Sequence, residues 1–274
     1  MLINTNINAL ISVNNLRVSE NGITSQLKKL SSGLRINSGA DDPSGLAISM
    51  KMGSQISGMR QAVLNAEDGI SMIRLADGAL QATSDALNRM RDLAVRASND
   101  AILTAEDSNR LNNEFIALSA EISRKATTVT FNTKVLFSGG FAGGLVLQIG
   151  QDNSTNFRLS VVIPAMTTAG LGISTATVST LAQAQAAIDL VNSAINIVSD
   201  TRASLGIQER RLGYIIDDLK VSDINVSAAK SRIMDADMAT EVTELTRVQI
   251  LQQSGMSILG QANNMPQSVL KLLQ

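Results

Sequence analysis

The chain has 274 residues, of which 44% are hydrophobic and only six are aromatic (five Phe and one Tyr), and its formal net charge is −1. It contains neither histidine nor cysteine, so it lacks the commonest general base and metal ligand and has no thiolate or disulfide site, and we predict no enzyme activity, metal or cofactor. The balanced charge argues against a nucleic-acid partner, and no apolar run approaches the roughly 18 residues of a membrane span.

The first predicted helix covers residues 2–34, where apolar residues recur at steps of three and four. Its many asparagines lower its intrinsic helix propensity, so the isolated helix would be marginal in water. We expect it to become ordered only when another helix packs on it. An ordinary helix of a monomeric bundle is the alternative at this point.

A joint at residues 37–43 separates this helix from the next one. Gly39 ends one element, Asp41 or Asp42 can cap the following helix, and Pro43 suits its first turn. We therefore predict that the two aspartates are helix caps rather than metal ligands.

Two helices are predicted after the joint, at about residues 43–98 and 104–129. The second begins at Thr104, and Asp107 three residues later completes a capping box. Because the intervening turn is short, we expect this helix to run antiparallel to its predecessor.

In the middle of the chain, the helical spacing of apolar residues gives way to strand-like alternation. Apolar residues alternate over 145–149 and again over 157–163, on either side of a turn at 150–153, which predicts a β-hairpin with one buried face. Residues 164–180 are rich in serine, threonine and glycine and predict an exposed loop.

An unbroken heptad register follows from residue 181 to residue 233, interrupted only by four charged residues. A helix of this length is roughly 80 Å long at about 1.5 Å per residue, which predicts a helical rod rather than a compact ball. The four charged seam positions are Arg202, Glu209, Asp223 and Lys230.

A second joint at residues 235–237 leads into a last helical segment that resembles the first one in its mixture of apolar and amide side chains. The chain closes with a strongly apolar tip at residues 269–273. Such a tip is a liability on a monomer, so we expect a partner to bury it.

Three stretches closely resemble the signatures of bacterial flagellin, in the family's order. They are residues 30–48 (LSSGLRINSGADDPSGLAI), 88–100 (NRMRDLAVRASND) and 231–261 (SRIMDADMATEVTELTRVQILQQSGMSILGQ). The resemblance covers about residues 1–138 and 180–274, and the middle region is short for the family.

The resemblance implies a mainly α fold, a long antiparallel helical bundle or coiled-coil rod with a small β-hairpin region. Residues 1–42 and 235–274 would pair as the inner filament core, 43–138 and 180–234 would form the rod, and 139–179 would form the hairpin and exposed loop. The family also has a tight turn after Phe131 at which glycine is usual where Thr133 stands.

The implied function is that of a structural subunit of the flagellar filament, which assembles head-to-tail into a hollow helical polymer for swimming. The subunit would be secreted unfolded by type III export, with an export chaperone and with cap and junction proteins as further partners. Residues expected to pack in the inner core are Ile3, Ile7, Leu10, Val13, Leu16, Ile23, Leu27, Leu30, Val242, Leu245, Val248, Leu251, Leu259, Val269, Leu270, Leu272 and Leu273.

The family is also sensed by innate immune receptors. Arg89, Leu93 and Glu114 correspond to the patch that a Toll-like receptor reads. The apolar residues at 269–273 resemble the segment that cytosolic sensors read.

Three other functions fit the sequence less well. A hook–filament junction protein shares flagellin-like ends, but the complete C-terminal signature favours flagellin. A di-iron helical-bundle enzyme needs Glu-x-x-His ligand pairs, which a chain without histidine does not supply. A cytoplasmic coiled-coil signalling module would not need the apolar final residues.

Overall fold

The computed structural model describes residues 5–99 and 101–272 of the chain, with side chains described for 5–99 and 101–265. The fold is mainly α, as predicted. In chain order, the elements are α1 Ile7–Ser32, α2 Pro43–Ala97, α3 Ala105–Thr128, β1 Thr130–Phe131, β2 Lys134–Val135, β3 Leu145–Gln148, a 3-10 turn Thr155–Phe157, β4 Arg158–Val161, α4 Leu181–Met234 and α5 Met238–Leu272.

The chain divides into two compact units. A terminal unit comprises Met1–Ile56 and Ile224–Gln274, and a central unit comprises Ser57–Asp223. These boundaries fall inside α2 and α4 and differ from the predicted division at the joints. At the start of α2 the chain packs back on the first joint, where a Cβ on Gly45 would lie 2.8 Å from the side chain of Ile36.

The core of the central unit contains the predicted seam of α4. The helix begins at Leu181, as the heptad pattern predicted. Seam residues at seven-residue steps are at most 1% exposed, because they pack in one continuous hydrophobic cluster with α2, α3 and the middle region. They are Ala184, Val191, Val198, Leu205 and Leu212.

Three of the four charged seam positions form ion pairs with α2. The side chains are partly exposed, so the pairs add little stability, but they fix the antiparallel register of α2 and α4 within the central unit. The pairs are Arg202–Asp77 at 2.8 Å, Arg74–Glu209 at 2.7 Å and Arg60–Asp223 at 2.9 Å.

Helix α3 begins as predicted. The Thr104 hydroxyl accepts a hydrogen bond from the Asp107 N–H at 3.2 Å, and the Asp107 carboxylate accepts hydrogen bonds from the Thr104 hydroxyl at 2.7 Å and the Thr104 N–H. The hydroxyl is the main reason why the pKa of Asp107 lies below its ordinary value. The helix buries Phe115 and Ile122, seven residues apart, in the core.

The predicted hairpin is present. Strands β3 and β4 pair antiparallel, with Leu145 opposite Val161 and Gln148 opposite Arg158. Leu159 and Val161 are buried, so one face of the hairpin joins the core as the alternation predicted.

The segment 164–180 is not the exposed loop that its composition predicted. Five apolar side chains along it are between 0% and 9% exposed, so it forms part of the core of the central unit. The serines and threonines lie between these buried positions. The average composition of the segment therefore does not reveal the buried apolar residues. The buried residues are Met166, Leu171, Ile173, Ala176 and Val178.

The turn between β1 and β2 has an unfavourable residue. Asn132 and Thr133 have φ angles of 45° and 67°, a left-handed conformation that asparagine tolerates and a β-branched residue does not.

We therefore expect Thr133→Gly to raise the free energy of unfolding by about 1 kcal/mol, because glycine adopts positive φ without steric cost. Urea unfolding of the full chain is the measurement. Thr133→Ala keeps a Cβ and serves as the control, with a much smaller gain. An equal gain from both variants would place the cause in the lost side chain rather than in the backbone.

Candidate assembly interface

The helices at the two ends of the chain pair with each other. At one end of the pair, the Asn6 side-chain amide donates a hydrogen bond to the Ala262 carbonyl at 2.8 Å. At the other end, Lys29 lies 3.5 Å from the Glu241 carboxylate. The residue numbers rise along α1 while they fall along α5, so the pair is antiparallel.

Glycines allow close packing at two positions of this pair. A Cβ on Gly22 would lie 3.1 Å from Val248 on α5, and a Cβ on Gly255 would lie 3.0 Å from Leu16 on α1. Each helix thus inserts an apolar side chain over a glycine of the other helix. The two contacts have the same antiparallel register.

The buried part of the pair is nevertheless thin. Ser12, Val248 and Ala262 are each 8% exposed, and one of these three is polar. The Gln26 side-chain oxygen is buried without a hydrogen-bond partner within the described part of the chain, which costs stability. Two helices alone bury only part of their apolar surface.

The residues that the sequence predicted for inner-core packing differ in their exposure within the subunit. Val248 is buried, while half-buried positions are Leu16, Ile23, Leu30, Leu245 and Leu259. Positions between 49% and 59% exposed are Ile7, Leu10, Val13, Leu27, Val242 and Leu251. Ile3, Val269, Leu270, Leu272 and Leu273 lie outside the residues whose side chains the structure describes.

Sequence reasoning missed most of one apolar side of the pair. Ile11 and Ile258 line a groove of about 560 Å³ between α1 and α5, together with Met265. Seven-residue steps from these positions reach Val18 and Leu251, which are 61% and 49% exposed. We call these five residues the groove side. The heptad spacing on α5 is the signal that could have revealed it.

The helix pair has a second apolar side, on the face opposite the groove side. At 3.6 residues per turn, Val13 lies about 160° around α1 from Ile11, and Met256 lies about 140° around α5 from Leu251. Leu27 is also exposed on this side. We call it the opposite side and define it by Val13, Leu27, Val242 and Met256, which are 50–54% exposed.

The two joints hold each other through backbone hydrogen bonds. The Arg35 N–H donates to the Met234 carbonyl at 2.6 Å, and the Ala236 N–H donates to the Gly33 carbonyl at 2.9 Å. Gly33 ends α1 with a φ of 69°, a left-handed conformation suited to glycine.

Asp42 caps the next helix, as predicted, whereas Asp41 closes the turn at residues 37–41 instead of capping a helix. Asp41 accepts hydrogen bonds from the Ser38 hydroxyl at 2.9 Å and from the N–H groups of Asn37 and Ser38, which hold its pKa below the ordinary 3.8. Asp42 caps α2 by accepting from the Gly45 N–H at 2.9 Å. Within the described part of the chain, no group of three or more acidic, His or Cys residues could hold a metal ion.

We expect the second joint to weaken in acid. The Thr240 hydroxyl and the N–H groups of Ala239 and Thr240 lower the pKa of Asp237 from its ordinary 3.8. The charged carboxylate therefore stabilises the fold fully above about pH 4, and this stability is lost as the pH falls through the lowered pKa. Urea midpoints of wild type and Asp237→Asn between pH 2 and 7 test this expectation.

Asp237→Asn should show the smaller loss of stability below pH 4, because it has no carboxylate to protonate at this joint. Parallel curves for the two proteins would contradict a role for Asp237 in the acid response.

The predicted receptor patch is split in the structure. Arg89 and Glu114 form an exposed ion pair at 2.7 Å between α2 and α3. Leu93 is only 2% exposed and lies in the core cluster. Leu93 lies one turn after Arg89 on α2, but the leucine is buried in the core cluster and the arginine is at the surface.

None of the described helices is long and apolar enough to cross a membrane.

Long helices, a thin terminal pair and two exposed apolar sides define a mainly helical structural protein. Family models of the bacterial flagellin N-terminal helical region and of the bacterial flagellin C-terminal helical region match residues 3–142 and 188–273. The chain belongs to the bacterial flagellin family.

A flagellin of Halalkalibacterium halodurans is 39% identical over 274 residues, which cover both chains completely. The crystal structure of Bacillus cereus flagellin, 27% identical, has a TM-score of 0.50 and covers 61% of this chain and 94% of its own. A Vibrio parahaemolyticus structure assigned to a flagellar hook-associated protein covers 71% of this chain and all of its own with a TM-score of 0.58; at 14% identity, it shows a shared fold alone.

The chain is therefore a structural subunit of the extracellular flagellar filament, and none of these findings favours the hook-junction alternative.

Proposed function

We propose that the filament is held together at its centre by the α1/α5 pair, which buries its groove side and its opposite side against other copies. The observation that carries this proposal is the exposure of apolar side chains on both sides of a helix pair with a thin core. Solvent exposure of this kind is unfavourable in a monomer, and burial by neighbours removes it.

The energetic scale supports reversible assembly. Full burial of one large aliphatic side chain contributes about 1.5–3 kcal/mol, so a half-exposed one gains roughly 1 kcal/mol when a neighbour covers it. Several such gains per subunit compete with the cost of immobilising a subunit, which is at least about 4 kcal/mol. The gains from the groove side and the opposite side together can outweigh this cost.

Two unlike sides also determine the kind of assembly. The groove side and the opposite side differ in residues, so one copy's groove side meets the next copy's opposite side. Such a head-to-tail contact leaves a free side at each end and builds an open polymer rather than a closed dimer. In this proposal, residues 1–42 and 235–274 form the inner core of a hollow helical filament.

The remaining proposed partners follow from the family. We propose that an export chaperone binds the terminal helices before assembly, that cap and junction proteins contact the filament ends, and that the chain has no catalytic role. Recognition by a Toll-like receptor would depend on Arg89 and Glu114, because Leu93 is not available at the surface of the subunit. Residues 269–273 are proposed for cytosolic sensors.

Limited proteolysis before and after polymerisation tests the assembly proposal. We expect cleavage of the unassembled chain within residues up to 34 and from 237 onwards, and protection of both segments in filaments seen by electron microscopy.

Deletion of residues 269–274 should impair filament growth and leave the central unit folded. Ends that resist protease in the unassembled chain, or normal filaments from the truncated chain, would contradict the proposal.

A further inference from the structure

One exposed face of α4 is apolar although it takes no part in the core. Ile207, Tyr214 and Val221 are 59%, 70% and 57% exposed and are spaced by seven residues, so they lie in one stripe along the helix. Tyr214 is the only tyrosine of the chain. All three belong to the central unit.

The charges around this stripe are arranged symmetrically about Tyr214. Arg210 and Arg211 lie one turn before it, and Asp217 and Asp218 lie one turn after it. All four are exposed, and among the ion pairs of the described residues none includes them.

Helical geometry places the arginines and aspartates on matching flanks. At 100° per residue, Arg210 and Asp217 lie within about 20° of each other on one flank of the stripe. Arg211 and Asp218 lie equally close on the other flank. Each flank therefore carries one positive and one negative charge, separated by seven residues or about 10 Å along the helix.

We propose that this face binds the same face of a second copy, antiparallel, about a twofold axis at Tyr214. The twofold axis places each flank of one copy beside the same flank of the other copy and reverses the direction of the helix. Arg210 therefore meets the partner's Asp217, and Arg211 meets the partner's Asp218. Each of these pairs occurs twice. The two Tyr214 rings meet at the centre, and Ile207 packs against Val221 of the partner.

The charge pattern excludes the other symmetric arrangement. If two copies were parallel and in register, arginine would face arginine and aspartate would face aspartate, which is repulsive. An antiparallel contact is isologous and closed, whereas the subunits of the head-to-tail polymer proposed above share one direction. The proposed contact therefore joins unassembled subunits or neighbouring filaments and goes beyond the assembly proposed above.

The contact is small. Residues 207–221 span about 21 Å of one helix, which places the interface at the lower end of transient contacts. We expect weak self-association that falls as salt screens the charges.

Charge reversal tests the contact on the full chain under non-polymerising conditions. Arg210→Asp with Arg211→Asp gives an all-acidic face, and Asp217→Arg with Asp218→Arg gives an all-basic face. Sedimentation velocity should show that each variant alone self-associates at least about tenfold more weakly than wild type. An equimolar mixture of the two variants should dimerise again, because opposite faces then meet. Failure of the mixture to dimerise would overturn the proposal.

Cysteine cross-linking tests the direction, since the natural chain has no cysteine. Tyr214→Cys should form a disulfide dimer faster than Ser71→Cys, an exposed control on α2. A mixture of Ile207→Cys and Val221→Cys should cross-link, and Ile207→Cys alone should not. Rapid cross-linking of Ile207→Cys alone would show a parallel contact and overturn the proposal. These sites lie outside α1 and α5, so the result is independent of the assembly proposal.

Discussion

Leu251→Asp combined with Ile258→Asp is expected to abolish filament growth while the subunit remains folded. Both side chains are about half exposed in the subunit, at 49% and 54%, so a carboxylate is tolerated there by the monomer. In the proposed polymer the same positions are covered by another copy, where a buried, unpaired carboxylate is strongly unfavourable. Circular dichroism should show unchanged helix content, and electron microscopy should show no filaments.

A matched control uses the same charges and spacing on a different face of α5. Ser257 and Asn264 are exposed and also seven residues apart, and they point away from α1. Ser257→Asp with Asn264→Asp should polymerise nearly as well as wild type. If the control also failed to polymerise, total charge rather than the groove side would be responsible. Normal filaments from the Leu251 and Ile258 variant would exclude the groove side as a contact.

Gly255→Leu is expected to separate α1 from α5. A Cβ at this position already lies 3.0 Å from a Leu16 methyl carbon, and a leucine side chain would need the space that Leu16 fills. Overpacking of this kind costs about 1–3 kcal/mol. Because about 1.4 kcal/mol corresponds to a factor of ten, we expect the critical concentration for polymerisation to rise about tenfold or more.

The same substitution at Gly260 provides the control, because a Cβ there meets no atom within 4 Å. Gly260→Leu should keep the helix pair and stabilise α5 by about 0.5–1 kcal/mol through higher helix propensity. Adding Leu16→Ala to Gly255→Leu should restore part of the pairing by reopening the space. Protease cleavage of the terminal helices reports the α1/α5 pairing in all these variants. Sedimentation of polymer is compared only between wild type and the two Gly255 variants, because Gly260 lies one turn from Met256 on the opposite side. An unchanged critical concentration for Gly255→Leu would contradict close packing at this glycine.

Much of the secondary structure followed from the sequence because its signals are local. The heptad register predicted α4 from its first residue, and the Thr104–Asp107 capping box predicted the start of α3. The alternation on either side of residues 150–153 predicted the β3–β4 hairpin. Each of these patterns involves neighbouring residues, whose spacing on a helix or strand is fixed by backbone geometry. The family resemblance was also evident from contiguous motifs.

The burial of individual positions was less predictable. Val242 and Val248 belong to the same apolar pattern of α5, yet one is exposed and the other lies over Gly22. The segment 164–180 has the composition of a loop but supplies five buried side chains. Leu93 lies one turn from Arg89 on α2 and is buried in the core cluster, whereas Arg89 is exposed. In each case a distant segment of the chain decides which side chain is buried.

By itself, the sequence determined that this protein is mainly helical, where most of its helices begin and end, and that it is a flagellin. The tertiary structure decided which apolar residues face a partner within the subunit and which two sides of the terminal pair remain exposed. The physical reason is that periodicity gives each helix an apolar stripe, whereas burial depends on the register and closeness of the helix packed against it. Gly22 and Gly255 set that closeness here, and the sequence does not show which side chains lie opposite them.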